Sequence, residues 1–329
     1  MKISVLGCGR WGSFIAWYLC NKGYDVCSWG PEGDYSYEVL RTTGKNEYVT
    51  LDKRIRLTCD LEEAVTRAEI IVISISSQGL RGFVERILAY DVSEKDFVLC
   101  MKGIEVATGD RLSQVLAGAG ISPEHIAVWV GPGHIQAFTQ GIPNCMVIDS
   151  ASETLKKRLA DNFKSELIRF YYGEDLIGTE IGAAAKNVMG IVAGVLDGCG
   201  YASLKGSLMS RGAREVARLI KAMGGNELSA YGLAHLGDYE ATLFSEYSHN
   251  RMYGEMLVQD KKFEKLAEGV PTAAAMTKLG EKYGVDLPIT CAVYDLCYGE
   301  AKEGEDCRTR CESLLAKLFA RDTKSEFYC

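Results

Sequence analysis

Short runs of apolar residues recur along the first half of the chain, at residues 3–6, 26–29, 70–75, 97–101, 126–130 and 145–148. Several are continuous rather than alternating, the pattern of strands covered on both faces. Helical patterns lie between them. Phe14, Trp17, Tyr18 and Leu19 share a helical repeat, and residues 61–68 follow Asp60, a helix N-cap with Glu63 three residues on. Such alternation predicts β-α-β units on a parallel sheet. The pattern changes after a last strand-like run at 167–172. Residues 181–196 are apolar almost throughout, residues 211–223 are amphipathic, and helical patterns return at 272–283 and 307–319. A helix apolar on all sides belongs at the centre of a domain. The expected fold is α/β: a doubly wound sheet domain over residues 1–178, then an all-helical domain over 179–329 that carries the substrate and catalytic groups.

Composition narrows the class. Of 329 residues, 47% are hydrophobic and 25% charged, which excludes a disordered chain. The balance of 37 basic against 44 acidic residues gives a net charge of −7, with no basic block. Nucleic acid and anionic membranes are therefore not expected partners. Uncharged stretches are interrupted by Lys186 or by glycines and fall short of a membrane span, so no stable membrane insertion is expected. The first residues enter a glycine-rich segment without a signal-peptide pattern, so the expected location is cytoplasmic. Twelve cysteines run from Cys8 to Cys329 with no C-x-x-C pair. Even Cys307 and Cys311, one helical turn apart, have no matching His/Cys cluster, so no metal site is expected.

Residues 7–12 read Gly7-Cys8-Gly9-Arg10-Trp11-Gly12, a G-x-G-x-x-G motif directly after a strand and before a helix. In that setting the first glycine allows a tight turn, the second lets a pyrophosphate approach the backbone, and the third lets helix and strand pack. The helix N-terminus then faces the negative charge. This predicts a Rossmann-type dinucleotide site. The cofactor stays open between NAD and NADP: neither Asp25 at the start of the second strand nor Glu32 beyond its end is a clear reader of the ribose hydroxyls. Lys102, after the run 97–101, and Gly131-Pro132-Gly133, after 126–130, fall at strand carboxyl ends, where ligands of such sheets bind. Lys186 is the only charged residue of 182–196, and it either snorkels to water or lines a polar cleft. Partial desolvation would prepare it for proton transfer. Asp238 and Thr242 are four apart and share a face if helical. The group Ser248-His249-Asn250-Arg251 completes the polar clusters.

Together these motifs resemble the NAD(P)-dependent glycerol-3-phosphate dehydrogenase family over nearly the whole chain. The resemblance rests on Gly7-x-Gly9-x-Trp11-Gly12, Ser77-Gln78-x-x-Arg81, Lys102-Gly103, Gly131-Pro132, Lys186-Asn187, Asp197-Gly198, Arg211-Gly212, Gly237-Asp238, Ser248-x-Asn250 and Glu268-Gly269, in the family's order. It implies hydride transfer between NAD(P)H and dihydroxyacetone phosphate to give glycerol 3-phosphate, or the reverse, in support of phospholipid synthesis. It implies that Lys186 transfers the proton, with Asn187, Asp238 and Thr242 orienting it and the substrate. Substrate contacts fall on Lys102, Gly131, Gly133, Ser248, His249 and Asn250. Cofactor contacts fall on Gly7, Gly9, Arg10, Trp11, Gly12, Lys102, Ile135, His249 and Glu268. The implied partner is a small phosphorylated substrate, with a homodimer as an option for assembly.

Five positions, in four places, depart from the family. His249 replaces its usual arginine, Gly133 a common serine or threonine, and Ser76 a proline, while Val49-Thr50 follows Tyr48 where the family has Leu-Pro. The first two fall on phosphate recognition. Arginine offers a permanent charge and a two-pronged fork that neutral histidine lacks. A divergent member reducing another small keto or aldehyde compound is therefore an alternative, and a cofactor-binding redox sensor is a third.

Overall fold

The computed structural model describes residues 1–301, 304–323 and 325–326. Two compact units form: residues 1–102 with 110–176, and residues 103–109 with 177–329. The second unit therefore takes in a seven-residue excursion from the first half of the chain. Ile104 of that excursion is buried in the second unit's core, and Lys278 donates to the Val106 carbonyl (3.0 Å). Cys329 lies outside the described residues.

The first unit contains β1 (Lys2–Leu6), α1 (Arg10–Asn21), β2 (Asp25–Trp29), α2 (Tyr35–Thr43), β3 (Arg56–Thr58), α3 (Leu61–Thr66), β4 (Ile70–Ile73), α4 (Leu80–Ile87), β5 (Asp96–Leu99), α5 (Leu112–Gly118), β6 (Ile126–Val130), α6 (Ile135–Thr139), β7 (Asn144–Ser150), α7 (Glu153–Phe163) and β8 (Ile168–Tyr172). Its sheet has the order β3-β2-β1-β4-β5-β6-β7-β8. The chain reverses direction across the sheet after β3, so β1 and β4 are neighbours and a switch point lies between their carboxyl ends. Successive strand residues face opposite ways. Ile3, Val5, Ile70, Val72 and Val98 join a core with α1, α6 and α7, while Ile71, Ile73, Phe97 and Leu99 join a second core with α3, α4 and α5. Burial on both faces explains the continuous apolar runs.

The sheet is not wholly parallel. β7 pairs antiparallel to β6, and β8 runs with β7. The connection from β6 to β7, residues 131–143, carries α6 and returns the chain antiparallel to β6. Capping follows the sequence signals: Asp60 accepts the Glu63 amide at the start of α3. Periodicity does not reveal α2, whose nine residues bury only Tyr37 and Leu40, or β3, which has three residues.

The second unit is helical: α8 (Leu176–Cys199), α9 (Lys205–Ala222), α10 (His249–Val258), α11 (Gly269–Tyr283), α12 (Pro288–Tyr298) and α13 (Cys307–Phe319). Its first helix is 24 residues long, and by length and composition it could cross a membrane, contrary to the sequence reading. Yet 89% of its apolar window is buried inside the protein, so it is a core helix. Ile181, Val188, Met189, Ile191 and Leu196 pack there with α9, α11 and α12.

Candidate active site

The glycine loop between β1 and α1 is shaped by contacts that admit no side chain. Gly7 has φ +121°, and a Cβ there would fall 2.1 Å from the Ser74 carbonyl oxygen. A Cβ on Gly12 would fall 1.8 Å from the Gly7 carbonyl oxygen, whereas Gly9 opens onto free space. The first amides of α1 have no side-chain cap, and its first turn holds no acid. A helix N-terminus with no side-chain cap and no acid favours an anion. These residues fit the pyrophosphate of a dinucleotide. Burial pushes the Cys8 thiol up to about 11, so it stays neutral beside the loop.

Lys102 and the loop after β6 meet within the same unit. The Lys102 ammonium donates to the Gly131 carbonyl (2.9 Å) and lies 5.9 Å from the centre of the Trp11 ring. Gly133 has φ +148°, and a Cβ there would collide with the Phe138 ring at 2.4 Å. A serine or threonine at this position therefore does not fit the loop as built. Ile135 is wholly buried in the core, so its side chain is not presented to a ligand.

In the second unit, α8 carries Gly182, Lys186, Gly190, Gly194 and Gly198 at steps of four, along one ridge that winds slowly around the helix. The chain from His235 to Val258 packs along it. A Cβ on Gly190 would lie 2.9 Å from Thr242 Cγ2, and one on Gly194 would lie 1.9 Å from the Arg251 carbonyl oxygen. Lys186 is the single long side chain of this ridge. It pairs with Asp238 Oδ2 (3.0 Å) and donates to Thr242 Oγ1 (2.9 Å), while Thr242 donates to the Asp238 carbonyl (2.7 Å). Asp238 ends the 3₁₀ turn Leu236–Asp238, and Thr242 lies in a π-turn, Glu240–Phe244. Isolated π-turns are rare and recur at functional sites.

Asn187 extends the network on the next position. Asn250 donates to Asn187 Oδ1 (3.0 Å) and accepts the Gly269 amide (2.8 Å), which ties the start of α11 to α8. Ser248 caps α10 by accepting the Arg251 amide (3.3 Å), and the half-buried His249 meets Phe263 edge-on. Glu268 is the residue that precedes α11.

Several supporting residues have partners that sequence spacing does not reveal. Asp197 bridges Lys205 (2.7 Å) and Arg251 (2.6 Å), and Lys205 also donates to the Leu243 carbonyl (2.9 Å). His235 lies beneath the lysine. Its Nδ1 is 2.8 Å from the Gly182 carbonyl, and its Nε2 is 2.7 Å from the Tyr239 hydroxyl. A carbonyl can only accept, so Nδ1–H donates to Gly182; with the ring neutral, Nε2 accepts from Tyr239. Burial lowers its pKa to about 4, and Lys186 adds to the fall while the Gly182 carbonyl and Asp238 oppose it. Asp197 stands in the Asp197-Gly198 motif, but nothing in spacing gives it a partner 54 residues away.

His235 makes stability depend on pH in a definite sense. A histidine whose pKa is depressed by folding binds its proton more readily when unfolded. Its stabilisation is complete above its ordinary value of 6.5 and is lost as pH falls toward 4. Over that interval about 3 kcal/mol should disappear, at about 1.36 kcal/mol per pKa unit. Urea unfolding between pH 7 and 4.5 should show this slope, and His235→Gln should flatten it; parallel slopes would contradict the assignment.

A dinucleotide cradle on one unit and a lysine held in a polar network on the other define an NAD(P)-dependent oxidoreductase. Comparison with known proteins is consistent over the whole length. The model of the NAD-dependent glycerol-3-phosphate dehydrogenase N-terminus matches residues 2–156, and that of its C-terminus matches residues 175–306. The chain belongs to the NAD-dependent glycerol-3-phosphate dehydrogenase family. It is 34% identical to a glycerol-3-phosphate dehydrogenase [NAD(P)+] of Prosthecochloris aestuarii, over 99% of this chain and 100% of that protein. A Chlorobium phaeobacteroides relative of the same name is also 34% identical, over 99% of each chain. Among solved structures, glycerol-3-phosphate dehydrogenase from Coxiella burnetii superposes with a TM-score of 0.86 at 25% identity, covering 95% of this chain and 98% of its own.

Proposed function

We propose that the chain reduces dihydroxyacetone phosphate to sn-glycerol 3-phosphate, reversibly, in the cytoplasm and in support of glycerophospholipid synthesis. The observation that carries this reading is the Lys186–Thr242–Asp238 network within the family-matched second unit. Gly7, Gly9 and Gly12 would hold the pyrophosphate of the cofactor, whose bound nicotinamide supplies or accepts the hydride. Lys186 gives its proton to the substrate carbonyl oxygen as that oxygen gains negative charge, and it takes the proton back in the oxidation. Asp238 holds the ammonium by charge, and Thr242 fixes its direction by accepting one N–H. With two of its interactions set, Lys186 needs little reorganisation as the alkoxide charge develops. Asn187 and Asn250 form a neutral polar edge beside it, suited to substrate hydroxyl and carbonyl groups.

One observation favours a second reading, reduction of a different small keto or aldehyde compound. Gly133 offers no hydroxyl and has no room for one, and His249 replaces a permanent charge. The deciding experiment supplies the purified protein with dihydroxyacetone phosphate and reduced cofactor. Saturable oxidation of the cofactor is expected. Cofactor binding without turnover, together with faster turnover of an unphosphorylated keto compound, would replace the first reading by the second.

A further inference from the structure

The Thr242 hydroxyl reaches Lys186 from the π-turn Glu240–Phe244. A turn of five residues is too short to hold its own shape in water, so its conformation is set by what grips it. The entry is fixed by His235 and Tyr239, which join it to the Gly182 carbonyl of α8. The exit is gripped by two cations. Lys205, the first residue of α9, donates to the carbonyl of Leu243, the residue after Thr242 (2.9 Å). Arg251 of α10 donates through Nε to the Ser245 carbonyl (3.0 Å).

Both cations end on one carboxylate. Asp197 Oδ1 lies 2.7 Å from Lys205 Nζ, and its Oδ2 lies 2.6 Å from the Arg251 guanidinium. Glu255 also meets Arg251 (3.1 Å), and the Lys205 ammonium lies 5.1 Å from the centre of the Phe244 ring. The side chains are largely withdrawn from water, 9% exposed at Lys205 and 15% at both Asp197 and Arg251. Asp197 follows Lys186 on α8 by about three turns, hence nearly in line with it. One helix therefore carries both the proton donor and the anchor of the turn that aims it. Such a cluster need not add stability, because the desolvation of its charges offsets their attraction. What it supplies here is direction: two carbonyls beyond Thr242 are each held at one place.

Resting on the proton-transfer reading of Lys186, we infer that Lys205, anchored by Asp197, is a positioning residue of the reaction. It holds the Leu243 carbonyl and so keeps the Thr242 hydroxyl on the Lys186 ammonium. In this role it acts through Thr242 and meets neither substrate nor cofactor.

Steady-state kinetics on Lys205→Met, Thr242→Val and the double variant test the assignment, with denaturant unfolding of each. Thr242→Val should lower kcat by about 10- to 100-fold, the range of a hydrogen bond to a charged group. Lys205→Met should lower kcat by about tenfold, the effect of a small misplacement, with KM and cofactor affinity changed by less than about threefold. In the Thr242→Val background the same change should cost less than about threefold in kcat, because the two residues share one route. Lys205→Arg, which keeps a cation on Asp197, should recover part of the loss. Arg251 still pairs with Asp197 in Lys205→Met; if that variant does not fold, Asp197→Asn takes its place in the cycle. A kcat loss of equal size with and without the Thr242 hydroxyl would overturn the inference, as would a loss confined to KM or full activity of either single variant. Retention of kcat by Lys186→Ala would instead count against the proton-transfer reading. The cycle is read on whichever keto compound the protein reduces, so it does not depend on the identity of the substrate.

Discussion

Replacing Lys186 by alanine should lower kcat for dihydroxyacetone phosphate reduction by about 10²- to 10⁴-fold, the usual contribution of a positioned general acid. Cofactor affinity should change by no more than a few-fold. The expectation follows from how the lysine is held. Its ammonium is nearly buried, with 11% of the side chain exposed, and it meets a carboxylate that is 1% exposed. Removing it takes away the proton donor and leaves Asp238 as a buried charge without its cation, so some loss of stability accompanies the loss of rate. Stability and rate are separable: Asp238→Asn in the Lys186→Ala background should recover stability and leave kcat low. Steady-state kinetics with a cofactor titration on each variant measures all of this. A Lys186→Ala kcat within tenfold of wild type would remove the lysine from the proton-transfer role.

Gly194→Ala should be the most destabilising single-methyl change on α8, at about 3 kcal/mol or more. Overpacking commonly costs about 1–3 kcal/mol, and more when backbone must move. Here the new Cβ would lie 1.9 Å from the Arg251 carbonyl oxygen and 2.7 Å from the Glu255 amide nitrogen, both backbone atoms of α10. No rotamer change relieves that clash, so the two helices must separate. Separation also loosens the Asn187–Asn250 hydrogen bond, so activity should fall with stability. Gly206→Ala serves as the control, because nothing lies within 4 Å of its added Cβ at the start of α9. That change should be neutral or stabilising by up to about 1 kcal/mol. Denaturant unfolding of both variants decides; a loss below about 1 kcal/mol at Gly194 would show that α10 can shift freely.

Much of this architecture is legible in residue order. The runs at 26–29 and 126–130 announce strands because a sheet covered on both sides needs apolar residues at every position. Asp60 announces α3 because its side chain has one local task. The glycine motif is readable because each glycine answers a separate steric demand. What stays hidden depends on distance along the chain. The reversal of β7 leaves no mark in strand composition. The role of His235 arises from a carbonyl 53 residues away, and that of Asp197 from cations at 205 and 251. The glycines of α8 look like weak points in a helix until α10 is seen against them. Gly133 reads as a lost hydroxyl in the sequence, whereas Phe138 shows that the loop has no space for one.

The glycine ridge of α8 also bears on how the protein fails when heated. Backbone atoms of α8 and α10 approach each other closely at Gly194 and Gly254, with no side chain between them, so opening α8 on that side must move α10 as well. Elements of that kind open only with the whole cooperative unit. Lys186 is borne by this helix rather than by a loop, so its position persists for as long as the second unit stays folded. Thermal inactivation of the proton-transfer step should therefore coincide with global melting rather than precede it.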